Sequence, residues 1–244
     1  MGYSTDFFGS FTLDKPLTAI QIEYLNMFAN TRRVKRDPIK LHLMKLEGSG
    51  NTRCFELLEE LGLPMGGEGD FYCGTGYSGQ DGGSFNSSKD NSVVDYNSEP
   101  STQCGLWCQW NPSDDGTEIV WDGSEKFYHY IEWLEYLIAT FLKPWGYKVN
   151  GIVEWQGEDR GDTGVIEVVD NVVTTHEGKR RSDFNPIPKA TLEPVSTKPV
   201  AIAFDDASEI VLDLIKLRNE LSSSKKGTAV ACKKLDELIH KYGV

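Results

Sequence analysis

Residues 105–156 read GLWCQWNPSDDGTEIVWDGSEKFYHYIEWLEYLIATFLKPWGYKVNGIVEWQ, and they decide the fold. All six tryptophans of the 244-residue chain lie in this stretch, between Trp107 and Trp155. The segments GLWCQW and TEIVW predict two strands, and the turn DDG between them predicts an antiparallel hairpin. Because tryptophan buries a large apolar area, we expect this stretch to hold the densest part of the core.

A long helix is predicted after this hairpin, with Asp122 or Ser124 as its N-cap. Its apolar residues recur three and four positions apart from Phe127 to Phe141, which gives a broad stripe facing a sheet. Pro144 ends the helix, and YKVNGIVEWQ predicts the next strand. Strands VIEVV and VVTT follow across a DN turn, so a second hairpin is predicted after the helix.

The N-terminal part of the chain predicts a strand, a helix, another strand and a short helix. Residues 1–17 contain the β-favouring run YSTDFFGSFTL, and Thr18 with Gln21 forms a capping box that opens a helix. Residues 39–46, IKLHLMKL, alternate between two faces and predict a strand. The short helix is predicted at Thr52–Leu61, where the sequence GLP closes it.

The order of these elements predicts an α+β fold. We expect a two-layer sandwich, a mainly antiparallel sheet with helices on one face, for which a ferredoxin-like split βαβ unit is one arrangement. The core domain is predicted at 1–177, with a long glycine-rich loop at 65–104. Residues 178–200 predict an extended, proline-punctuated linker, and residues 201–244 predict a helical hairpin. Apolar residues spaced four and three apart within 204–244 have to be buried, either on the main domain or in a homodimer.

The chain is acidic, with a formal net charge of -12 and a pI near 4.8. This charge argues against non-specific nucleic-acid binding, which needs clustered cations facing the phosphates. No apolar run approaches the roughly 20 residues that span a bilayer, and the start MGYSTDFFGS lacks the features of a signal peptide. Five cysteines at irregular spacing indicate free thiols in a reducing compartment. We therefore expect a cytoplasmic protein without a membrane partner.

The glycine-rich run GEGDFYCGTGYSGQDGG is the first candidate for a ligand site. It contains the dinucleotide-type spacing Gly74-x-Gly76-x-x-Gly79, but no helix pattern follows, as a Rossmann site requires. Two interpretations stay open, a turn-rich loop without a ligand, or a loop whose backbone N–H groups meet an anion or a partner. The candidate ligand residues of this loop are Tyr72, Gly74, Gly76, Gly79, Gln80 and Asp81.

The basic run TRRVKRD is the second candidate. Its cations follow the end of a predicted helix, where they can offset the helix dipole. Alternatively, guanidinium groups recognise phosphate or carboxylate, which makes Arg32, Arg33 and Arg36 candidate ligand residues.

Two weaker candidates involve acidic residues and histidine. Carboxylates in the turn EWQGEDRGD, from Glu154 to Asp162, suit either a solvated hairpin loop or a divalent ion. The four histidines show no metal-ligand spacing, and His129, between two tyrosines, is predicted to border a cleft. No metal site is predicted, and the sequence leaves the cofactor open.

Several long runs resemble an uncharacterised family of small proteins from bacteria and their phages. They are GYSTDFFG, TRRVKRD, GQD, GLWCQW, WDGSEKFYHYIEWLEYLIATFLKPWGY and NGIVEWQGED. The resemblance covers roughly residues 2–175 and implies no activity, so it assigns no functional residue.

The leading hypothesis is a non-enzymatic binding protein of a phage or bacterium. It would engage a protein partner or a small anionic ligand through loop 66–104 together with TRRVKRD. The alternative is an enzyme that binds or processes nucleotides, with Arg32, Arg33 and the Gly74–Gly79 loop holding phosphate. In that enzyme Asp81 or Glu158 would act as base or metal ligand. An assembly protein is a third option.

Overall fold

A six-stranded antiparallel sheet with helices packed against it gives the chain an α+β fold, in a computed structural model that describes residues 2–74 and 91–184. In sheet order the strands are β4 (Trp110–Pro112), β5 (Glu118–Trp121), β1 (Thr5–Leu13), β6 (Val149–Gly157), β7 (Thr163–Val169) and β8 (Val172–Glu177). The short strands β2 (Lys35–Arg36) and β3 (Val93–Asp95) pair with each other. The helices are α1 (Ala19–Ala29), α2 (Pro38–Glu47), α3 (Thr52–Leu61) and α4 (Tyr130–Leu137), and α4 continues as a π-helical turn, Ile138–Leu142.

The chain divides into two compact units, Met1–Thr197 and Lys198–Val244, and every described residue belongs to the first. The predicted helical hairpin at 201–244 therefore lies outside the described residues, as does most of the predicted linker. No helix in the described ranges has the length and apolar character needed to cross a membrane.

The first strand lies in the middle of the sheet. β1 pairs with β6 along its whole length, from Thr5↔Gly157 to Leu13↔Val149, and with β5 on its other side. Each pair of neighbouring strands among those described is antiparallel, and β4, β5, β1 and β6 lie side by side in that order, with helices between β1 and β4 and between β5 and β6. This is the strand order of a ferredoxin-like split βαβ unit. The antiparallel sandwich is confirmed, and β7 and β8 extend the ferredoxin-like strand order at the β6 edge of the sheet.

One face of the sheet and the helices share a single core. Phe7 and Phe11 of β1 make edge contacts with Trp110, at 5.3 and 5.4 Å between ring centroids. Trp110, Trp133 and Trp155 are at most 5% exposed and belong to this core. Trp121 and Trp145 are partly buried against it. Five of the six tryptophans therefore belong to this core or pack against it, as expected for the tryptophan-rich stretch.

Local capping explains where α1 and α3 lie. Thr18 and Gln21 form the predicted capping box at the start of α1. The side chain of Asn51 accepts the N–H of Cys54 at 3.1 Å to open α3, and Gly62 closes it in the left-handed conformation. Both helices begin and end where the sequence predicts them, to within two residues.

The strand predicted at residues 39–46 is wrong, because this segment forms α2. Asp37 Oδ1 accepts the N–H groups of Ile39 and Lys40 at 2.9 and 3.3 Å, and Pro38 occupies the first turn. Gly48 ends the helix with φ of +66°. The apolar residues of α2 do not all face the core, so their spacing imitates that of a strand. Three of them are exposed by about 40%: Ile39, Leu43 and Leu46. The capping signals outweigh the period-two pattern.

The tryptophan-rich stretch contains two further differences. GLWCQW was predicted as a strand, but only its last residue, Trp110, lies in β4. The long helix begins at Tyr130, later than predicted, and Asp122 accepts the N–H of Ser124 in a turn instead of capping the helix. Lys126 and His129 adopt positive φ of 63° and 57°, so the chain bends sharply before α4.

The folded unit extends past the predicted domain boundary at residue 177. Residues Arg181–Asp183 form a turn of 3₁₀ helix, and the Arg181 N–H donates to Glu154 Oε2 at 2.9 Å. The Phe184 ring lies 4.8 Å from that of His176. The first residues of the predicted linker are therefore packed against the sheet.

Candidate functional site

Arg33 lies inside the protein. Its side chain is 1% exposed, Nη2 donates to the Asp70 carbonyl at 2.6 Å, and Nε donates to Gln103 Oε1 at 3.3 Å. The guanidinium stacks on the Phe28 ring at 4.0 Å. Arg33 thus fastens both ends of the glycine-rich loop to α1, and its donors face protein acceptors.

Arg36 and Tyr72 are also internal. Arg36 is 2% exposed, its Nη1 donates to Ser92 Oγ at 3.1 Å, and it stacks on Tyr72 at 4.9 Å. Tyr72 is 1% exposed, and its hydroxyl accepts the N–H of Asn51 at 2.9 Å. The structure therefore brings TRRVKRD and the described parts of the loop together around buried side chains.

The other predicted ligand residues are placed differently. Arg32 is half-buried, donates from Nε to the Tyr96 carbonyl at 3.1 Å, and stacks on the Tyr96 ring at 4.5 Å. The Gly74 carbonyl accepts from Asn51 Nδ2 at 3.1 Å. The rest of the set lies outside the described residues: Gly76, Gly79, Gln80 and Asp81. Ligand binding by these residues stays a prediction.

A pair of thiols lies next to Arg33. The Cys73 N–H donates to Cys54 Sγ at 3.0 Å, and Arg33 Nη1 donates to Cys73 Sγ at 3.9 Å. Burial alone would raise the pKa of Cys73, but the hydrogen bond from Cys54 and the positive charge of Arg33 together lower it. The guanidinium of Arg33 thus has a sulfur acceptor as well as its two oxygen acceptors.

The acidic turn between β6 and β7 is used for structure. Asp162 accepts hydrogen bonds from the Tyr3 hydroxyl at 2.7 Å and from Trp155 Nε1 at 3.1 Å. Glu158 accepts the N–H of Ser4 at 2.7 Å. These carboxylates fasten the start of the chain to the hairpin. Within the described ranges, no three His, Cys, Asp or Glu residues are grouped to hold a metal ion.

An open cleft of about 810 Å³ lies between the end of α1, residues 99–109 and residues 122–129. We call it the Trp107 cleft. As predicted, His129 borders a cleft. Its lining includes Glu99, Cys104, Gly105, Trp107, Glu125 and Tyr128. The sequence gives little sign of this site, because its three segments are separated along the chain.

The cleft has a negative electrostatic character. Among the described residues, Glu99, Asp122 and Glu125 line it together with one lysine, Lys126, whose Nζ lies 3.8 Å from Glu125. The carbonyl end of α1 also faces the cleft at Asn30, and the last turn of α1 contains no basic residue. A helix C-terminus is equivalent to a partial negative charge, so it adds to the carboxylates.

Two polar groups in this region have no hydrogen-bond partner among the described residues. The Glu99 carboxylate is half-buried, and no hydrogen bond or ion pair joins it to another residue of 2–74 or 91–184. Trp133 Nε1 is buried without an acceptor, whereas the indoles of Trp110 and Trp121 donate at 2.8 and 3.1 Å. Trp133 Nε1 lies against the cleft wall at Gly105, where a Cβ would stand 3.4 Å from it. A buried donor that is left unpaired is costly, so the Trp133 indole has an unused capacity to donate a hydrogen bond at this wall.

Cys104 is the thiol that borders the cleft. Burial raises the pKa of Cys104 to about 12, and the charges of Glu132 and Glu99 add to this effect. The thiol therefore stays protonated near neutral pH and is a poor nucleophile.

A scan against models of known protein families, a search of curated proteins and a search of solved structures each found no match, so the resemblance to a bacterial and phage family stays a prediction.

Proposed function

We propose that this chain is a non-enzymatic binding protein that engages a protein partner through the Trp107 cleft. The observation that carries the proposal is the pair of unused polar groups, Glu99 in the lining of one open cleft and Trp133 Nε1 directly behind Gly105 of its wall. The protonated Cys104 thiol supports binding over nucleophilic chemistry at this place.

A protein partner suits the cleft better than a small anionic ligand. Trp107 is half-buried and Tyr128 is 52% exposed, and such aromatic side chains are the usual anchors of protein interfaces. The carboxylates of the cleft would repel an anion. Glu99 and Cys104 belong to loop 65–104, so the proposal keeps this loop as part of the binding surface.

We propose that the protein acts in the cytoplasm of a bacterium and is encoded by the bacterium or by a phage that infects it. The four described cysteines are free, three of them buried, which is consistent with a reducing compartment. The bacterial or phage source rests on the sequence resemblance alone. A homodimer formed through residues 204–244 stays a prediction.

A selection from a library of random peptides, which assumes nothing about the sequence of the partner, tests the proposal. Random peptides displayed on yeast are selected against the full chain, and the binders are measured against Trp107→Ala. We expect at least a tenfold loss of affinity, because an aromatic anchor at an interface carries more than about 1.4 kcal/mol. The matched control is Phe8→Ala, which removes an aromatic side chain that is 57% exposed on the other face of the sheet. The proposal would be contradicted if the selected peptides bind Trp107→Ala as tightly as the native protein, or if no binding peptide is recovered.

The alternative is a nucleotide enzyme that uses Arg32, Arg33 and the Gly74–Gly79 loop. The protein acceptors of Arg33 favour the binding proposal over this one. A thermal-shift screen of nucleotides with and without magnesium separates the two. We expect no ligand-dependent rise in Tm, and a rise that is lost in Arg32→Ala would favour the enzyme.

A further inference from the structure

We infer that the Trp107 cleft binds a basic, extended segment of its partner, which places a lysine or arginine side chain at Glu99 and a main-chain carbonyl at Trp133 Nε1. This inference rests on the proposed function and specifies the chemistry of the ligand at the same site.

The charges of the cleft favour a cationic side chain in the ligand. Glu99 offers a half-buried carboxylate without a hydrogen bond or ion pair to a described residue, while Glu125 already has Lys126 nearby. Lys35 acts on Glu99 only at longer range, because its ammonium group is paired with Glu68. Asp122 and the carbonyl end of α1 have the same sign. A lysine or arginine at Glu99 would gain charge-assisted hydrogen bonds. The faces of Trp107 and Tyr128 favour cations as well.

Arg32 lies behind the cleft wall, next to Trp107. Its guanidinium lies 5.9 Å from the Trp107 ring, where it donates to the Tyr96 carbonyl. It therefore holds Trp107 and residues 91–99 together from the back, and it does not line the cleft.

The unpaired indole N–H of Trp133 favours a carbonyl group in the ligand. An indole nitrogen is a donor only, so its missing partner has to be an acceptor. In the unbound protein Nε1 is covered next to Gly105, which has no side chain to fill the space. A small movement of the Gly105 backbone would let a peptide carbonyl reach Nε1, as interface loops commonly adjust on binding.

A peptide supplies both groups together. A free polyamine has the cation but no acceptor, and nucleic acid has acceptors but the wrong charge for Glu99. A basic peptide has a carbonyl at every residue, and the net charge of -12 on the chain would attract it from a distance.

The test uses two blocked peptides and the full chain. One peptide carries a central Lys-Arg pair between alanines, and in the other both basic residues are replaced by glutamine. Binding is followed by NMR on the six indole N–H signals of the protein. We expect the basic peptide to bind about tenfold more tightly and to shift one indole signal downfield, assigned to Trp133 by its absence in Trp133→Phe.

Two variants separate the contacts. Glu99→Gln should reduce affinity for the basic peptide about tenfold and leave the glutamine peptide unchanged. Gly105→Ala should weaken both peptides about fivefold and abolish the indole shift, because its methyl group would stand 3.4 Å from Trp133 Nε1. That distance is an ordinary contact and Gly105 has no left-handed backbone, so we expect the variant to fold. Phe8→Ala is the control.

The outcomes distinguish this inference from the proposed function. The inference would be overturned if the two peptides bind with equal affinity, or if Glu99→Gln leaves the affinity for the basic peptide unchanged. In either case, loss of peptide binding in Trp107→Ala would still support a peptide-binding cleft. If neither these peptides nor any selected peptide depends on Trp107, both proposals fail.

Discussion

Arg33 carries a positive charge into the interior, where it meets Asp70, Gln103 and the Phe28 ring. We expect Arg33→Ala to lower the free energy of unfolding by about 3 kcal/mol, because truncation leaves buried acceptors without donors. Urea denaturation followed by tryptophan fluorescence measures this loss.

The adjacent Arg32→Ala is the matched control for that experiment. Arg32 is half-buried and makes one hydrogen bond to a carbonyl, so we expect a loss of about 1 kcal/mol or less. Equal stability of the two variants would show that Arg33 is not a structural residue.

The run TRRVKRD could be identified as important from its sequence, but the role of each cation could not. Adjacent residues outside a helix point in different directions, so one arginine can be buried while its neighbour is not. The direction is set by Asp70 and Gln103, which lie 37 and 70 residues from Arg33 along the chain. No local pattern encodes partners at such separations.

At the level of the element, α2 depends on Asp37. We expect Asp37→Ala to lower the free energy of unfolding by about 1 kcal/mol, since it removes the acceptor for the N–H groups of Ile39 and Lys40. Asp37→Asn retains an acceptor oxygen and should stay within a few tenths of a kcal/mol of the native protein. Chemical denaturation of the three proteins checks this, and a neutral Asp37→Ala would contradict the capping role.

The β4–β5 turn should respond to acid through Asp115. Its pKa is lowered to about 2 by hydrogen bonds from the Ser113 hydroxyl and from the N–H and hydroxyl of Thr117. Because the folded pKa is below the unfolded value of about 3.9, the stabilisation is complete above that value and is lost as the pH falls towards 2. We expect the Tm advantage of the native protein over Asp115→Asn to shrink across this range. A difference in Tm between the two proteins that stays constant with pH would contradict this role of Asp115.

The elements that could be predicted are those whose signals are local. A capping box placed α1, the closing sequence GLP placed α3, and turn residues placed both hairpins. The segment 39–46 failed because alternation and capping disagreed there, and the helix signals at Asp37, Pro38 and Gly48 were the stronger ones. The long helix starts late because Asp122 is used in a turn of its own.

Across the whole described unit, the two layers form one hydrophobic cluster that includes Tyr24 of α1, Leu57 of α3, Trp133 of α4 and Val153 of β6. We expect one cooperative unfolding step, since separating the layers would expose the cluster to water. Hydrogen exchange at increasing urea should give the same opening free energy for amides of α3 and of β6. Earlier opening of α3 would contradict a single core.

The Trp107 cleft shows which features of the whole molecule the sequence does not reveal. Its walls come from α1, from residues 99–109 and from residues 122–129. Only the position of His129 beside a cleft was predictable, because two tyrosines flank it on an otherwise apolar stripe. The pairing of Gly105 with Trp133 depends on how distant segments meet.

The central position of β1 has a consequence for synthesis on the ribosome. β1 emerges first, yet its neighbours follow much later, since Phe11 pairs with Ile119 and Thr5 pairs with Gly157. The sheet cannot close until β6 has left the exit tunnel, so Phe7 and Phe11 stay exposed during most of translation. Such late, long-range pairing slows folding and invites chaperone binding. A nascent chain arrested before β6 should therefore be sensitive to protease, and one arrested well beyond residue 184 should resist it.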